Sequence, residues 1–138
     1  MIKSEDIKDI SKALNLAQSS MGAAKKGESN PFFKSKYASL NSVIEAVKGP
    51  LNHHGITILQ THDENAVETI LVHVSGQYIG SRTPVVCAKQ NDPQALGSAI
   101  SYARRYGLQS MLSLPAEDDD GEKAMGRKPK KANSSVDF

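Results

Sequence analysis

The chain has 138 residues, a length that suits one domain and leaves too little sequence for a second complete core. Hydrophobic residues make up 38% of it and charged residues 23%, which is typical of a globular protein. No apolar run approaches the roughly 18 residues that span a bilayer, and acids stand near the start where a signal peptide is apolar, so we expect a cytoplasmic protein. Cys87 is the only cysteine, which excludes an intramolecular disulfide and a zinc site built on several cysteines.

Charge is divided into blocks along the chain, although the formal net charge is only +2. Residues 1–114 hold 12 basic and 9 acidic side chains, residues 115–121 hold four acids and no base, and residues 122–138 hold five bases and two acids. The apolar pattern stops at Pro115. We therefore expect a folded domain over residues 1–121 and a flexible basic tail over residues 122–138.

Two helices are predicted in the first part of the chain. Apolar residues spaced by three and four predict the first over residues 5–21, with Ser4 as its N-cap. A stretch rich in Gly, Lys, Ser and Asn follows up to residue 36, and we expect it to be a loop or mobile arm. The second helix begins near Ser39 or Asn41 and ends before Gly55, and Pro50 should kink or restart it.

Three β-type segments come next, and they predict an antiparallel three-stranded meander over Ile56–His62, Val67–Ser75 and Tyr78–Cys87. A two-residue turn at Gly76 and Gln77 would pair Ser75 with Tyr78. That register predicts one core face and one opposite face. The core face would carry Ile70, Val72, Val74, Ile79 and Val85; the opposite face would carry His73, Tyr78 and Arg82.

A third helix is predicted over residues 94–112, with Asp92 as N-cap and Pro93 at its first position. Pro84 indicates that the third strand is an edge strand, at least from that residue onward. The element order is therefore α-α-β-β-β-α, an α+β fold. Small residues should let the third helix approach the sheet closely, and they are Gly97, Ser98, Ala99 and Ser101.

Catalytic and cofactor motifs are scarce in this sequence. No phosphate-binding glycine loop of the GxxxxGK[ST] or GxGxxG type occurs, so we expect neither direct use of ATP nor another cofactor. The four histidines show no metal-binding spacing, and we expect Cys87 to be a small buried hydrophobic residue. The acidic run over residues 117–120 has two interpretations: a solvated charge run, or Mg²⁺ ligands of a nuclease or other DNA-processing enzyme.

The segment SYARRYGL, residues 101–108, is the more informative one. Tyr102 and Tyr106 are one helical turn apart and share a face, and Arg104 points about 100° away from Arg105. Arginines and stackable rings suit single-stranded nucleic acid, but the same pattern fits a packed helix with its tyrosines in the core. The earlier segment NPFFKSKYASL also alternates bases with rings, through Phe33, Lys34, Lys36 and Tyr37.

Two motifs in this order, KYASL and then GSAISYARRYGLQ followed by EDDDG, resemble the ERF (essential recombination function) family of phage and prophage single-strand annealing proteins. The resemblance covers about residues 5–121. It implies binding of single-stranded DNA, ATP-independent annealing of complementary strands in recombination and DNA repair, and no enzymatic activity. It also implies a β-β-β-α core similar to that of the eukaryotic recombination mediator, and assembly into rings or filaments.

Carried over by position, the resemblance implies DNA contacts from Lys36 and Tyr37 in the first motif and from Tyr102, Arg104, Arg105 and Tyr106 in the second. Lys34 of the NPFFKSKYASL segment and Arg82 of the third strand are two further basic residues predicted to contact DNA. The implied setting is the cytoplasm of a bacterial host, with a host single-strand-binding protein or a phage exonuclease as candidate partners and no membrane.

Assembly follows from size, because a domain of this length contacts only a few nucleotides. A meander has two edges to cover, so neighbours joined head to tail would form a ring or a helix. Such a homo-oligomer is predicted to join Lys36, Arg82, Arg104 and Arg105 into one basic track.

Overall fold

A computed structural model describes residues 1–22, 39–89 and 91–115. In this part of the chain three α-helices lie on one face of a four-stranded antiparallel sheet, which confirms the α+β class. The helices are α1 (Lys8–Ser19), α2 (Leu40–His53) and α3 (Pro93–Met111). The strands are β1 (Ile2–Lys3), β2 (Ile56–His62), β3 (Ala66–His73) and β4 (Tyr78–Pro84), in the spatial order β1-β4-β3-β2.

The fourth strand, β1, corrects the predicted three-stranded meander and the predicted start of the first helix. Ser4 does not cap α1, which begins at Lys8 after Ile7. Instead its backbone N–H donates to the carbonyl of Tyr78 at 2.9 Å, and its hydroxyl accepts from the N–H of Tyr78 at 3.0 Å. The hydroxyl is therefore used to extend the pairing of β1 with β4.

Helix α2 has the predicted cap and the predicted end. The Ser39 hydroxyl accepts from the backbone N–H of Ser42, and Gly55 follows the helix with a φ of +77°, where a side chain would be strained. The helix does not restart at Pro50. Burial of its apolar side, which includes Val47 and Leu51 at 0% exposure, outweighs the backbone hydrogen bond that proline removes.

The register of β3 and β4 differs from the prediction. Val72, not Ser75, lies opposite Tyr78, because the connection is the three residues 74–76 rather than the two residues Gly76 and Gln77. The N–H of His73 donates to the carbonyl of Gln77 at 2.8 Å, and Gly76 has a φ of +93°. A three-residue loop with a left-handed glycine is a common hairpin connection.

This change of three residues exchanges the two faces of β3. Val67, Thr69 and Leu71 face the helices and are buried, whereas the predicted core residues Ile70 and Val72 lie on the open face with only partial burial. The open face is also where Tyr78 and Arg82 lie, as predicted, but His73 lies on the helix side. Strands β3 and β4 also end earlier than predicted, at His73 and Pro84.

Helix α3 starts as predicted, since the Asp92 carboxylate accepts from the backbone N–H groups of Gln94 and Ala95. Its close approach to the sheet is at Gly107, whereas three of the small residues predicted to make it, Gly97, Ser98 and Ser101, are exposed. A Cβ atom on Gly107 would lie 2.6 Å from Thr69 Oγ1 and 2.9 Å from Thr83 Oγ1, while a Cβ on Gly97 would meet nothing within 4 Å.

Apolar side chains of all three helices and of β2 and β3 form one core cluster. It occupies the part of the sheet where β2 begins and β3 ends. Its buried members are Ile10, Ala13, Ala17, Val43, Val47, Leu51, Ile56, Leu71, Leu108, Leu112 and Leu114.

The sheet has open edges. Strand β2 is an edge strand. On the outer side of β4, β1 and Ser4 pair with residues 78–80, so described residues leave this edge uncovered from Ser81 to Pro84. The prediction of an edge at Pro84 is therefore confirmed for the end of β4.

Candidate nucleic-acid interface

Helix α3 exposes two tyrosines on its solvent side. Tyr102 and Tyr106 are each 51% exposed, and their rings stack with centroids 5.7 Å apart and planes 24° apart. Ala103 and Gly107, the small residues that follow them, are buried against the rest of the fold. The interpretation that places the tyrosines in the core is therefore wrong.

Arg105 completes this group, although its side chain is only 7% exposed. Its guanidinium carbon lies 5.0 Å from the ring centroid of Tyr102 and 4.8 Å from that of Tyr106. Both distances are within the range of a cation–π interaction, which holds the charge and the two rings together. We call Tyr102, Arg105 and Tyr106 the tyrosine–arginine cluster.

Arg104 points away from the cluster, as its position on the helix predicts. Its Nε donates to Gln60 Oε1 on β2 at 3.3 Å. Gln60 Nε2 in turn donates to the backbone carbonyl of Arg104 at 2.9 Å and to Thr69 Oγ1 at 3.0 Å. No carboxylate of the described residues forms an ion pair with Arg104.

Arg82 lies on the opposite face of the sheet from α3. It stands directly across from Glu68, and its Nη1 is 4.0 Å from the Glu68 carboxylate and 3.9 Å from that of Asp63. The neighbouring residue Thr83, by contrast, lies under Gly107. A single chain therefore does not place Arg82 on the same surface as the arginines of α3.

The comparison with protein families is the deciding observation, since the ERF superfamily model matches residues 10–137. The chain belongs to the ERF superfamily. Its members are generally phage single-strand annealing proteins. Comparison of this ERF chain with curated proteins and with solved structures gives no significant match.

The other DNA-contact residues predicted for this ERF chain, Lys34, Lys36 and Tyr37, lie outside the described residues. The same is true of the acidic run over residues 117–120 and of the tail over residues 122–138. Within residues 1–22, 39–89 and 91–115, no three His, Cys, Asp or Glu side chains are grouped so that they could hold a metal ion. No helix in these ranges has the length and apolar character needed to cross a membrane.

Asp63 shapes the electrostatics of the loop between β2 and β3. Its Oδ1 accepts from the backbone N–H of Asn65 at 2.7 Å and from that of Ala66 at 2.9 Å. These hydrogen bonds, with a smaller contribution from the charge of Arg82, lower the pKa of Asp63 below its ordinary value of 3.8. Because two carboxylates lie near Arg82, the open face carries a weaker positive charge than the sequence suggests.

Sequence reasoning missed three residues that place α3 of this ERF chain: Gln60, Thr69 and Gly107. A signal was present for Gln60 and for Gly107. Gln60 follows Ile56 and Ile58 at the helix-facing positions of β2, and a polar residue in that alternation needs a partner. A glycine inside a helix often marks a close approach of another element, which is what Gly107 provides.

Proposed function

We propose that this ERF chain binds single-stranded DNA and anneals complementary strands without ATP, in phage-type homologous recombination. The observation that carries the proposal is the tyrosine–arginine cluster on the solvent side of α3. Two half-exposed rings held beside a guanidinium give unpaired bases a stacking surface, and every base has a face that can stack.

The roles within this surface follow from exposure. Tyr102 and Tyr106 stack on bases, Arg105 holds the two rings in place from its buried position, and Arg104 contacts a phosphate. Lys34, Lys36 and Tyr37 add further phosphate and base contacts. Stacking on base faces and contact with phosphates leave the hydrogen-bonding edges of the bases accessible, which annealing requires.

The protein works as a homo-oligomer, either a ring or a helix. The uncovered edges of β2 and of β4 after Gly80 offer N–H and C=O groups to a neighbouring copy. A head-to-tail contact repeats the α3 surface along a strand, and Arg82 joins the basic track only through such a contact. Light scattering with single-stranded DNA tests this: a chain that remains monomeric yet anneals at full rate would contradict it.

The protein acts in the bacterial cytoplasm as a DNA-binding protein rather than an enzyme. A host single-strand-binding protein and a phage exonuclease are its candidate partners. Domain limits at residue 121 predict that a chain ending at Gly121 still folds and anneals at low salt, with some loss of affinity from the missing basic tail.

Annealing of two complementary oligonucleotides without ATP tests the proposal, with Tyr102→Ala and Tyr106→Ala as the variants. We expect each to weaken binding of an oligo-dT by about 1–3 kcal/mol, while the Phe substitutions retain most of the affinity because they keep a ring that stacks. Tyr78→Ala is the matched control, since Tyr78 is 38% exposed on the open face of the sheet.

Two results would contradict the proposal. One is unchanged affinity in both alanine variants while the wild-type protein binds. The other is cleavage of the oligonucleotides in Mg²⁺, which would support a metal-dependent nuclease instead.

A further inference from the structure

Gln60 connects the sheet to α3 through a single side-chain amide. The orientation of this amide follows from its partners, because the Arg104 carbonyl can only accept and the Arg104 Nε–H can only donate. Nε2 therefore faces the carbonyl, and Oε1 faces Nε–H. A flipped amide would place oxygen against oxygen and N–H against N–H.

The second N–H of this amide is fixed by the sheet. It donates to Thr69 Oγ1 at 3.0 Å, and Thr69 has 0% exposure. Gly107 makes this arrangement possible, because the absence of a side chain lets α3 pack directly against Thr69. One donor and one acceptor position of Gln60 thus hold Arg104 of the helix, while the second donor ties the amide to the sheet.

Arg104 is left with one end of its guanidinium committed and the other available. Nε donates to Gln60, whereas the structure gives neither Nη group an acceptor among the described residues. The two Nη groups are the end-on pair of the guanidinium fork, and such a pair can donate two parallel hydrogen bonds to phosphate oxygens.

We propose that Gln60 is a positioning residue that holds Arg104 so that its two Nη groups donate to a backbone phosphate of the bound strand. This inference rests on the proposed function. Gln60 does not touch the strand. It fixes the Arg104 side chain before binding, so that less rotational freedom is lost when the phosphate contact forms.

A first measurement needs no DNA. Exchange of the Arg104 Nε–H with solvent, followed by NMR in the free protein, should be slow in the wild type and fast in Gln60→Met. Methionine is unbranched and similar in length to glutamine, so it fills the same space without hydrogen bonds. Equal exchange rates in the two proteins would overturn the inference.

A second measurement is a double-mutant cycle with Gln60→Met, Arg104→Ala and the double variant, using oligo-dT binding at several salt concentrations. We expect Gln60→Met to weaken binding about threefold to tenfold in the wild-type background and less than about twofold when Arg104 is already alanine. An equal loss in both backgrounds would show that Gln60 acts through the fold and would contradict the proposal.

The salt dependence separates positioning from contact. Arg104→Ala should reduce the slope of log affinity against log salt by about 0.7, the value for one phosphate on a single strand. Gln60→Met should leave the slope unchanged, because the contact still forms. Gln94→Met, an exposed glutamine at the start of α3, is the matched control.

Two further outcomes are distinguishable. If Gln60→Met does not fold, Thr69→Val replaces it, because this change releases the Gln60 amide from the sheet. We expect Thr69→Val to weaken oligo-dT binding less than Gln60→Met would, and again only when Arg104 is present. Unchanged affinity in a folded Thr69→Val protein would contradict the proposal. If the wild-type protein binds no oligo-dT, the proposed function fails, whereas the exchange rate still reports on Gln60 and Arg104 alone.

Discussion

The helix-covered face of the sheet has two regions of different chemistry. Where β2 begins and β3 ends, the face is apolar, and Ile56 and Leu71 are fully buried under α1, α2 and the end of α3. Near the middle of β3 the same face is polar: Gln60 forms hydrogen bonds with the middle of α3. Thr69, which accepts a hydrogen bond from Gln60, lies under Gly107. We call these the apolar region and the polar region.

Folding and the placement of the site therefore depend on separate residues. Burial of apolar side chains has no preferred direction and stabilises the domain in proportion to the area removed from water. Hydrogen bonds to Gln60 and the close approach at Gly107 fix the height and rotation of α3. The tyrosines and Arg104 depend on that rotation for their direction.

The apolar region should show the largest effect on stability. Leu71→Ala removes a fully buried leucine, and we expect the free energy of unfolding to fall by about 2–5 kcal/mol. Leu59→Ala makes the same change on the open face, where the side chain is 48% exposed, and should cost about 1 kcal/mol or less. Urea unfolding of both variants tests which face is buried. A similar loss of unfolding free energy in the two variants would contradict the burial of Leu71 under the helices.

The polar region should show a smaller loss of stability together with a loss of DNA binding. Gly107→Ala places a Cβ atom 2.6 Å from Thr69 Oγ1, so α3 must move, and we expect destabilisation of about 1–3 kcal/mol. Oligo-dT affinity of the folded variant should also fall, since both the cluster and Arg104 move with the helix.

Gly97→Ala is the control on the same helix. It is exposed and its new Cβ meets nothing within 4 Å, so the better helix propensity of alanine should raise stability by up to about 1 kcal/mol. Thermal melting and oligo-dT binding are measured for both glycine variants. A Gly107→Ala protein as stable as Gly97→Ala would contradict the close approach.

The sequence predicted the elements of this fold better than their pairing. The segment VETILVHV is apolar at positions of both parities, so alternation cannot say which side of β3 is buried. The position and length of the loop then decide the register: the predicted turn is Gly76 and Gln77, whereas the observed loop is residues 74–76, closed by the pairing of His73 with Gln77. Strand β1 was missed because a serine ahead of an apolar periodic segment is also the usual N-cap signal.

The site could be predicted only in part, for a similar reason. Helical spacing places Tyr102 and Tyr106 on one face, but it does not say whether that face is buried. The answer depends on Ala103 and Gly107, whose small size brings their side of α3 against the sheet. The alternation of its strand predicted the face on which Arg82 lies. The role of Gln60 could not be predicted in this way, because it depends on the register that places Gln60 opposite Thr69.

The two arginines of α3 should then behave differently. Arg105→Ala removes the cation that contacts both rings and should lower the free energy of unfolding by about 1–2 kcal/mol. Arg104→Ala should leave the melting temperature nearly unchanged and mainly lower oligo-dT affinity. Calorimetry and oligo-dT binding of both variants test this. A loss of stability in Arg104→Ala and a loss of affinity alone in Arg105→Ala would mean that Arg104 supports the fold and Arg105 contacts the DNA.

The smallest effect is expected far from both regions, in the loop that joins β2 to β3. The lowered pKa of Asp63 means that its ionised form stabilises the fold at pH values above 3.8, and that this contribution is lost as the pH falls through the lowered value.

Asp63→Asn keeps an oxygen that can accept from the N–H groups of Asn65 and Ala66 but removes the charge. It should therefore be slightly less stable than the wild type at neutral pH, and this difference should be smaller at about pH 3, where more of the wild-type carboxylate is protonated. Urea midpoints at the two pH values measure the difference, with Glu64→Gln as the control that removes the same charge one residue later. A stability difference that is the same at both pH values would assign the role of Asp63 to its shape rather than its charge.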